Sequence, residues 1–327
     1  MVSSPLLFDL TGRGAVVLTG KDRASFLHGL VTNDIKKLTP GTGCAAAFLT
    51  PKGKILADCV VLCEEDRLEI DCEPELAGKI EDLLRKYLVF NEVQIGNETN
   101  QAAVFHLQHS AAGDAVEELL RRVMRLGPAG ALPEKPHAHV TASAGDDTGV
   151  PVRLVRENRT GAPGCDVRCP SSLSEEIRKA FLLAGARQAS HADLESLRIE
   201  AGIPRWGFEL TEAVLPDEAG LRERGFISDT KGCYIGQETV ARIKTYGHVN
   251  RNLVRLLLEG EAPASGSEIF FEGETAGAVT SSARAAGSGL AAALGYVRRE
   301  RAAPGTRLVV RTREGDRPAT VSVPPVA

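Results

Sequence analysis

The sequence has no apolar run approaching the roughly 18 residues of a membrane-spanning helix. Its first ten residues, MVSSPLLFDL, lack the basic segment of a secretory signal and already carry Asp9, which argues against export. An excess of positive charge is also missing: 39 Lys and Arg oppose 43 Asp and Glu, a net charge of -4 with a pI near 6.0. A protein that held nucleic acid through a broad basic face would show the opposite balance. Aromatic residues make up only 5%, leaving little for unpaired bases to stack on. Neither direct nucleic-acid binding nor membrane association is expected. The seven cysteines are odd in number and scattered, so the natural reading is a reduced, cytoplasmic protein without a disulfide framework.

What is present is an ordinary globular composition, 43% hydrophobic and 25% charged over 327 residues, enough for two or three domains. GAVVLTG reads as a short buried strand. DRASFLHGLVTNDIKKL has helical spacing, with Asp22 as its N-cap. CAAAFLT, KILADCVVLC and RLEIDC read as strands. In RLEIDC, Leu68, Ile70 and Cys72 alternate with Glu69 and Asp71, giving one buried and one polar face. PELAGKIEDLLRKYL carries an apolar stripe behind Pro74. QAAVFHLQ is a strand, and AVEELLRRVMRL a helix stopped by Gly127 and Pro128. Residues 127–151 read as a loop or boundary holding one strand, HAHVTAS. Ser172 and Glu175 have capping-box spacing, and HADLESLRIEAG is a further helix ending at Gly202. From about Arg251, NLVRLLLEG, EIFF, AGAVTSS, AALGYV, RLVVRT and ATVSV form the short-strand pattern of a small antiparallel barrel or sandwich. Without regular alternation of strand and helix, the earlier part reads as α+β.

Several apparent motifs have plainer explanations. GAVVLTGKD has one residue too many for a phosphate loop and an aspartate where the magnesium-binding hydroxyl belongs. Cys59 and Cys63, like Cys165 and Cys169, lack the spacing of zinc ligands and read as small buried hydrophobes. His137-Ala138-His139 reads as surface decoration on a strand. KGCYIGQE is different. Gly232 and Gly236 flank Cys233, Gly236 opens a helix through QETVARIK, and Lys231 adds a cation; a helix N-terminus and a nearby cation both favour the thiolate. These eight residues alone leave open a reactive thiol and a structural turn.

KGCYIGQE resembles the signature of the YgfZ-type folate-binding proteins, relatives of the glycine cleavage system T-protein, an aminomethyltransferase. FLHGLVTNDI, LTPKGKILAD, LRIEAGIPRWG, LPDEAGL and GHVNR stand in the order that family shows, so the resemblance runs from roughly Phe26 to Arg251. It implies a three-domain ring: two interwoven α+β, ferredoxin-like domains over residues 1–245, with an internal boundary near 127–151, and a C-terminal antiparallel β-barrel over 246–327. It implies that tetrahydrofolate or a one-carbon derivative binds in the central hole. It also implies a link to iron–sulfur cluster assembly or repair, and through it to tRNA modification, with iron–sulfur client or assembly proteins as partners.

Residue by residue, Thr160-Gly161-Ala162-Pro163-Gly164-Cys165-Asp166 is similar to the T-protein segment whose glutamate holds the pterin, and Asp166 falls at that carboxylate. Asp71 falls where the T-protein has an asparagine near the ligand. Trp206 is a candidate to stack on the ligand, or a core side chain; Arg198 is a candidate for the anionic glutamyl tail, or a structural ion pair. The T-protein has two consecutive aspartates where this chain has Ala57-Asp58, which weakens the expectation of aminomethyl transfer while leaving folate binding intact. Three readings follow. One is a tetrahydrofolate-binding protein supporting iron–sulfur assembly, with Cys233 as its functional thiol beside Lys231. Another is a folate-dependent aminomethyltransferase or demethylase using Asp58. The third is a scaffold that binds no folate.

Overall fold

The protein, described by a computed structural model over residues 4–109, 114–126, 132–144, 149–284 and 290–323, is built around three sheets. The first has five antiparallel strands in the order Thr42–Leu49, Ile55–Cys63, Arg67–Cys72, Gly14–Thr19 and Gln94–Asn97. Helices Arg23–His28 and Ala77–Tyr87 cover one face. Alternation of side chains places Ala57, Cys59, Val61, Leu68 and Ile70 against Phe26, Leu27, Ile80 and Leu84 in the first core.

The second sheet has seven strands, in the order Arg187–Ala189, Leu6–Asp9, Ala102–Gln108, Gly164–Pro170, Pro151–Glu157, His139–Ala144 and Met124–Leu126. Its apolar face meets helices Asp114–Val123 and Ser174–Leu183 through Phe105, Leu154, Val167, Leu120 and Phe181. The chain's first strand, Leu6–Asp9, belongs to this second sheet and the next, Gly14–Thr19, to the first. Of the residues near 127–151, the described strand His139–Ala144 pairs with Met124–Leu126 and with Pro151–Glu157 in this second sheet.

Beyond Arg251 six strands close an antiparallel barrel, Arg251–Glu259 pairing with both Leu290–Arg298 and Gly315–Ser322. Glu209, fully buried, ties this barrel to the rest. It accepts hydrogen bonds from Arg198, from the Arg205 amide and from the hydroxyls of Thr280 and Ser281, and its carbonyl accepts from Tyr296. The architecture is α+β with a C-terminal barrel. Among the described residues no helix is long and apolar enough to cross a membrane.

Local expectations fail where tertiary partners compete. The helical pattern from Asp22 yields α-helix only over Arg23–His28, then a 3-10 turn at Ile35–Lys37, because Thr32 and Asn33 bond the backbone of Phe226 and Gly225 instead of continuing the helix. Asp22 makes no side-chain cap; its carboxylate accepts from the Glu92 amide. Ser172 and Glu175 form no capping box, since Ser171–Leu173 is a 3-10 turn and Glu175 pairs with Arg178. A capping box is present at Ser190 and Asp193, ahead of helix His191–Glu200. The helix stop assigned to Gly127 and Pro128 lies outside the described residues.

Candidate functional site

The polar faces of the two large sheets meet. Glu69 and Asp71 point away from the first core, yet both are buried, because arginines of the second sheet cover them. Arg168 bonds Glu69 at 2.6 Å and pairs with Asp71; Arg153 bonds Glu69 and Glu64; Arg159 reaches Asp71 at 3.2 Å. Arg13, from the turn before Gly14–Thr19, bonds Asp71 at 2.8 Å and Glu73 at 2.7 Å. Three guanidinium groups, Arg13, Arg168 and Arg159, thus hold the Asp71 carboxyl well below the usual carboxylate range against the opposing effect of burial. The polar face read from RLEIDC is therefore an internal ion cluster and not a solvated surface.

Beside this cluster lies a cavity of about 610 Å³, within the range of small-molecule sites. Both sheets contribute to its wall, as do helix His191–Glu200 and the irregular segment 203–226; among the described residues none from the barrel lines it. Asp58 opens into it from the first sheet. Its neighbour Ala57, on the other face of the strand, packs in the first core. The aspartate missing relative to the T-protein pattern would have pointed into that core, so the cavity keeps its carboxyl group. One Asp58 oxygen, Oδ1, is buried without a hydrogen-bond partner. Burial, followed by the negative charges of Glu73 and Asp71 and opposed by Arg13, pushes the Asp58 carboxyl up to about 7. Such a group exchanges protons near neutral pH.

The other expected residues are distributed as follows. Asp71 lines the cavity within the ion cluster. Asp166 stands behind the wall, its carboxylate bonded to His106 Nδ1 at 2.8 Å and to Arg159; Arg159, not Asp166, presents to the cavity. The chain has Gly164 here because a Cβ would strike the His106 ring at 2.5 Å. Arg198 lines the cavity with its charge already balanced by Glu195 and Glu209, both at 2.9 Å. Arg224, on the same wall, bonds the Gly202 carbonyl instead of a carboxylate. Trp206 does not line the cavity; Lys79 sits 4.7 Å over its ring and it packs against two cores.

Lys231 and Cys233 also lie off the cavity wall. Lys231 is buried, and its ammonium donates to the carbonyls of His28 and Val31 at the end of helix Arg23–His28. Burial lowers its pKa to about 8. Its cation serves those carbonyls, which is the reason the two quoted segments, FLHGLVTND and KGCYIGQE, sit together. Gly236 adopts φ +84° ahead of helix Gln237–Tyr246, and a Cβ there would lie 2.5 Å from the Thr50 carbonyl oxygen. Cys233 is free and exposed, whereas Cys59, Cys63, Cys72, Cys165 and Cys169 are buried. Arg13, Arg159, Glu157 and His137 were not anticipated as wall residues. His137 carried a signal, the His-Ala-His spacing, but was expected on the surface; it lines the cavity, and His139 is buried.

Two α+β sheets whose polar faces meet, a closed barrel and a cavity lined by both carboxylates and arginines define a recognisable class. Residues 2–225 match the GCVT N-terminal domain family and residues 251–327 the glycine cleavage T-protein C-terminal barrel domain; the chain belongs to this family. Aminomethyltransferases of the family use tetrahydrofolate as substrate or cofactor. The sequence is 29% identical to a chloroplastic protein of Arabidopsis thaliana named as a transferase, over 93% of this chain and 68% of that protein. It is 28% identical to the aminomethyltransferase of Thermosynechococcus vestitus, over 96% of this chain and 82% of the relative. The crystal structure of the glycine cleavage system aminomethyltransferase T from Bartonella henselae shares the fold, with a TM-score of 0.80 at 19% identity, covering 100% of this chain and 87% of that one.

The cavity fits a folate on its own chemistry. A pterin is rich in N–H donors, and Asp58 Oδ1 is an acceptor awaiting one. Leu194, Leu210, Leu221 and Phe226 supply apolar wall, and Arg224 is a cation available to an anionic tail.

Proposed function

We propose that this protein binds tetrahydrofolate in the cavity and handles a one-carbon unit there, as a folate-dependent transferase of the aminomethyltransferase type. The observation that carries this reading is the unpartnered oxygen of Asp58, on a carboxyl group whose pKa lies near neutrality, facing a cavity of the right size. When bound, tetrahydrofolate supplies the nitrogen that accepts a one-carbon unit. Asp58 accepts a hydrogen bond from ligand N–H and is poised to gain or lose a proton at that oxygen. Arg159, braced by Asp166 and Asp71, keeps the wall in place, and Arg224 takes the anionic tail. Calorimetric titration with tetrahydrofolate tests the reading. Binding to the wild type is expected, with turnover of a methylamine donor reduced ~100-fold or more in Asp58→Asn. No heat at high tetrahydrofolate concentration favours the scaffold reading instead.

The exposed thiol supports a second role. Cys233 stands outside the cavity in a solvent-facing turn fixed by Lys231 and Gly236, so it is open to another protein. This is the feature expected of a YgfZ-type member that serves iron–sulfur assembly, and through it tRNA modification, in a reducing cytoplasm. Complementation of a deletion strain by Cys233→Ser distinguishes the roles: full rescue removes the thiol from the function.

A further inference from the structure

A second cavity, of about 390 Å³, opens where the segment 202–224 meets the barrel. Arg224 stands on its wall, and Arg255 reaches it from barrel strand Arg251–Glu259. Their hydrogen bonds place both guanidinium groups there. Arg224 Nη2 donates to the Gly202 carbonyl at 2.6 Å, and Arg255 Nε donates to the Ser322 hydroxyl at 2.8 Å; Gly202 and Ser322 line the same cavity. Arg255 Nη1 also donates to the Glu200 carbonyl. The two arginines therefore converge on carbonyls two residues apart, at the C-terminal end of helix His191–Glu200.

Capping accounts for only part of this arrangement. A helix C-terminus carries about half a negative charge, whereas each guanidinium brings a full positive one. Among the described residues neither arginine pairs with a carboxylate. Asp217 and Glu218 share the wall but are committed elsewhere, to Arg222 at 2.7 Å and to Arg251 at 3.2 Å. Glu223 and Glu200 act on the arginines only from beyond ion-pair distance, and loss of hydration holds both guanidinium groups below their ordinary pKa. In the ion cluster between the sheets burial is outweighed, and Arg13, Arg159 and Arg168 stand above theirs because carboxylates bond them directly. Arg224 Nε and Nη1 and Arg255 Nη2 have no hydrogen-bond partner among the described residues, and Arg224 is exposed.

We propose that this second cavity binds a small oxyanion, a phosphate or a carboxylate, between Arg224 and Arg255. The unused N–H groups of the two forks suit the oxygens of such an anion, and its charge relieves two like charges brought side by side. Arg224 is common to the walls of both cavities. With a folate tail on Arg224, an oxyanion in the second cavity draws on the same guanidinium, so each ligand weakens the other by the same factor. This coupling rests on the folate reading above; the oxyanion site does not.

The test uses full-length protein and phenylglyoxal, which modifies accessible guanidinium groups, with peptide mass spectrometry as the readout. Inorganic phosphate and succinate are the probe anions, each compared with chloride at equal ionic strength. At saturation, phosphate or succinate should slow modification of Arg255 about tenfold, while Arg313, exposed on the barrel, reacts unchanged. Protection by phosphate alone assigns a phosphate-bearing ligand, and protection by succinate alone a carboxylate-bearing one. Modification of Arg255 at the same rate with and without both anions overturns the proposal. Calorimetric affinity for the protecting anion should fall about tenfold in Arg255→Gln; unchanged affinity in folded variant also overturns it. Tetrahydrofolate affinity should fall about fivefold in wild type saturated with the anion, and not in Arg255→Gln. Protection of Arg255 without that fall refutes the coupling and keeps the site. Failure of tetrahydrofolate to bind, with Arg255 still protected, removes the folate reading and leaves the oxyanion site standing.

Discussion

Replacing Asp58 by asparagine should stabilise this protein while removing its chemistry. The carboxyl is pushed up to about 7, chiefly by burial, against roughly 3.9 in an unfolded chain. Between those two values the folded state holds a proton that the unfolded state has released. The folded state therefore binds more protons, and stability falls as pH rises from about 4 to about 7, then levels off. Three pH units at ~1.4 kcal/mol each give a ceiling of about 4 kcal/mol. The side chain is only partly sealed from solvent, so screening lowers the working figure to about 2 kcal/mol. Asparagine keeps the shape and carries no charge, so Asp58→Asn should melt several degrees above wild type at pH 7.5, and the gap should close toward pH 4.5. Scanning calorimetry at matched ionic strength across that range is the assay. An equal or lower melting temperature at pH 7.5, or a gap independent of pH, would refute the view of Asp58 as a desolvated, unpartnered carboxyl. Stability gained alongside lost turnover is the trade expected of a functional group held in an unfavourable setting.

Further outcomes follow from the same geometry. Brief treatment of native protein with iodoacetamide should label Cys233 first, as the exposed cysteine among seven, and mass spectrometry of the peptides will show it; rapid labelling of Cys59 or Cys165 would contradict their burial. Glu69→Ala leaves Arg168 with Asp71 and Arg153 with Glu64 as remaining partners and should cost about 1.5–3 kcal/mol in denaturant unfolding. Gly236→Ala meets the Thr50 carbonyl and a disfavoured φ, so it should destabilise by more than ~1 kcal/mol, read as a lower melting temperature.

Much of the fold was legible because strands and helices follow the spacing of their apolar residues. Leu68, Ile70 and Cys72 specified their strand, and all six barrel segments stand where the short-strand pattern put them. Asp58 was legible through a quoted motif. The residues that escaped are those whose meaning depends on a distant partner. Glu69 read only as part of a polar strand face, and nothing in its own segment shows the arginines 84 and 99 positions away that cover it. Lys231 looked like an activator of its neighbour Cys233, but carbonyls 203 and 200 positions earlier claim it. The His-Ala-His spacing drew notice to His137 but placed it on the surface, since neither its conformation nor Glu157, 20 positions on, can be read from periodicity.

The fully buried Glu209 has a bearing on how this molecule can be dissected. Its carboxylate is shared between an arginine on helix His191–Glu200 and two hydroxyls on barrel strand Glu274–Arg284. A polypeptide ending before Arg251 would keep the negative charge, lose half of its solvation shell, and bare the apolar side of Ile199 that Ala292 and Leu294 cover. Despite its self-contained hydrogen bonding, the barrel covers part of the preceding segment's interior, so a polypeptide without it should be less stable than the whole chain.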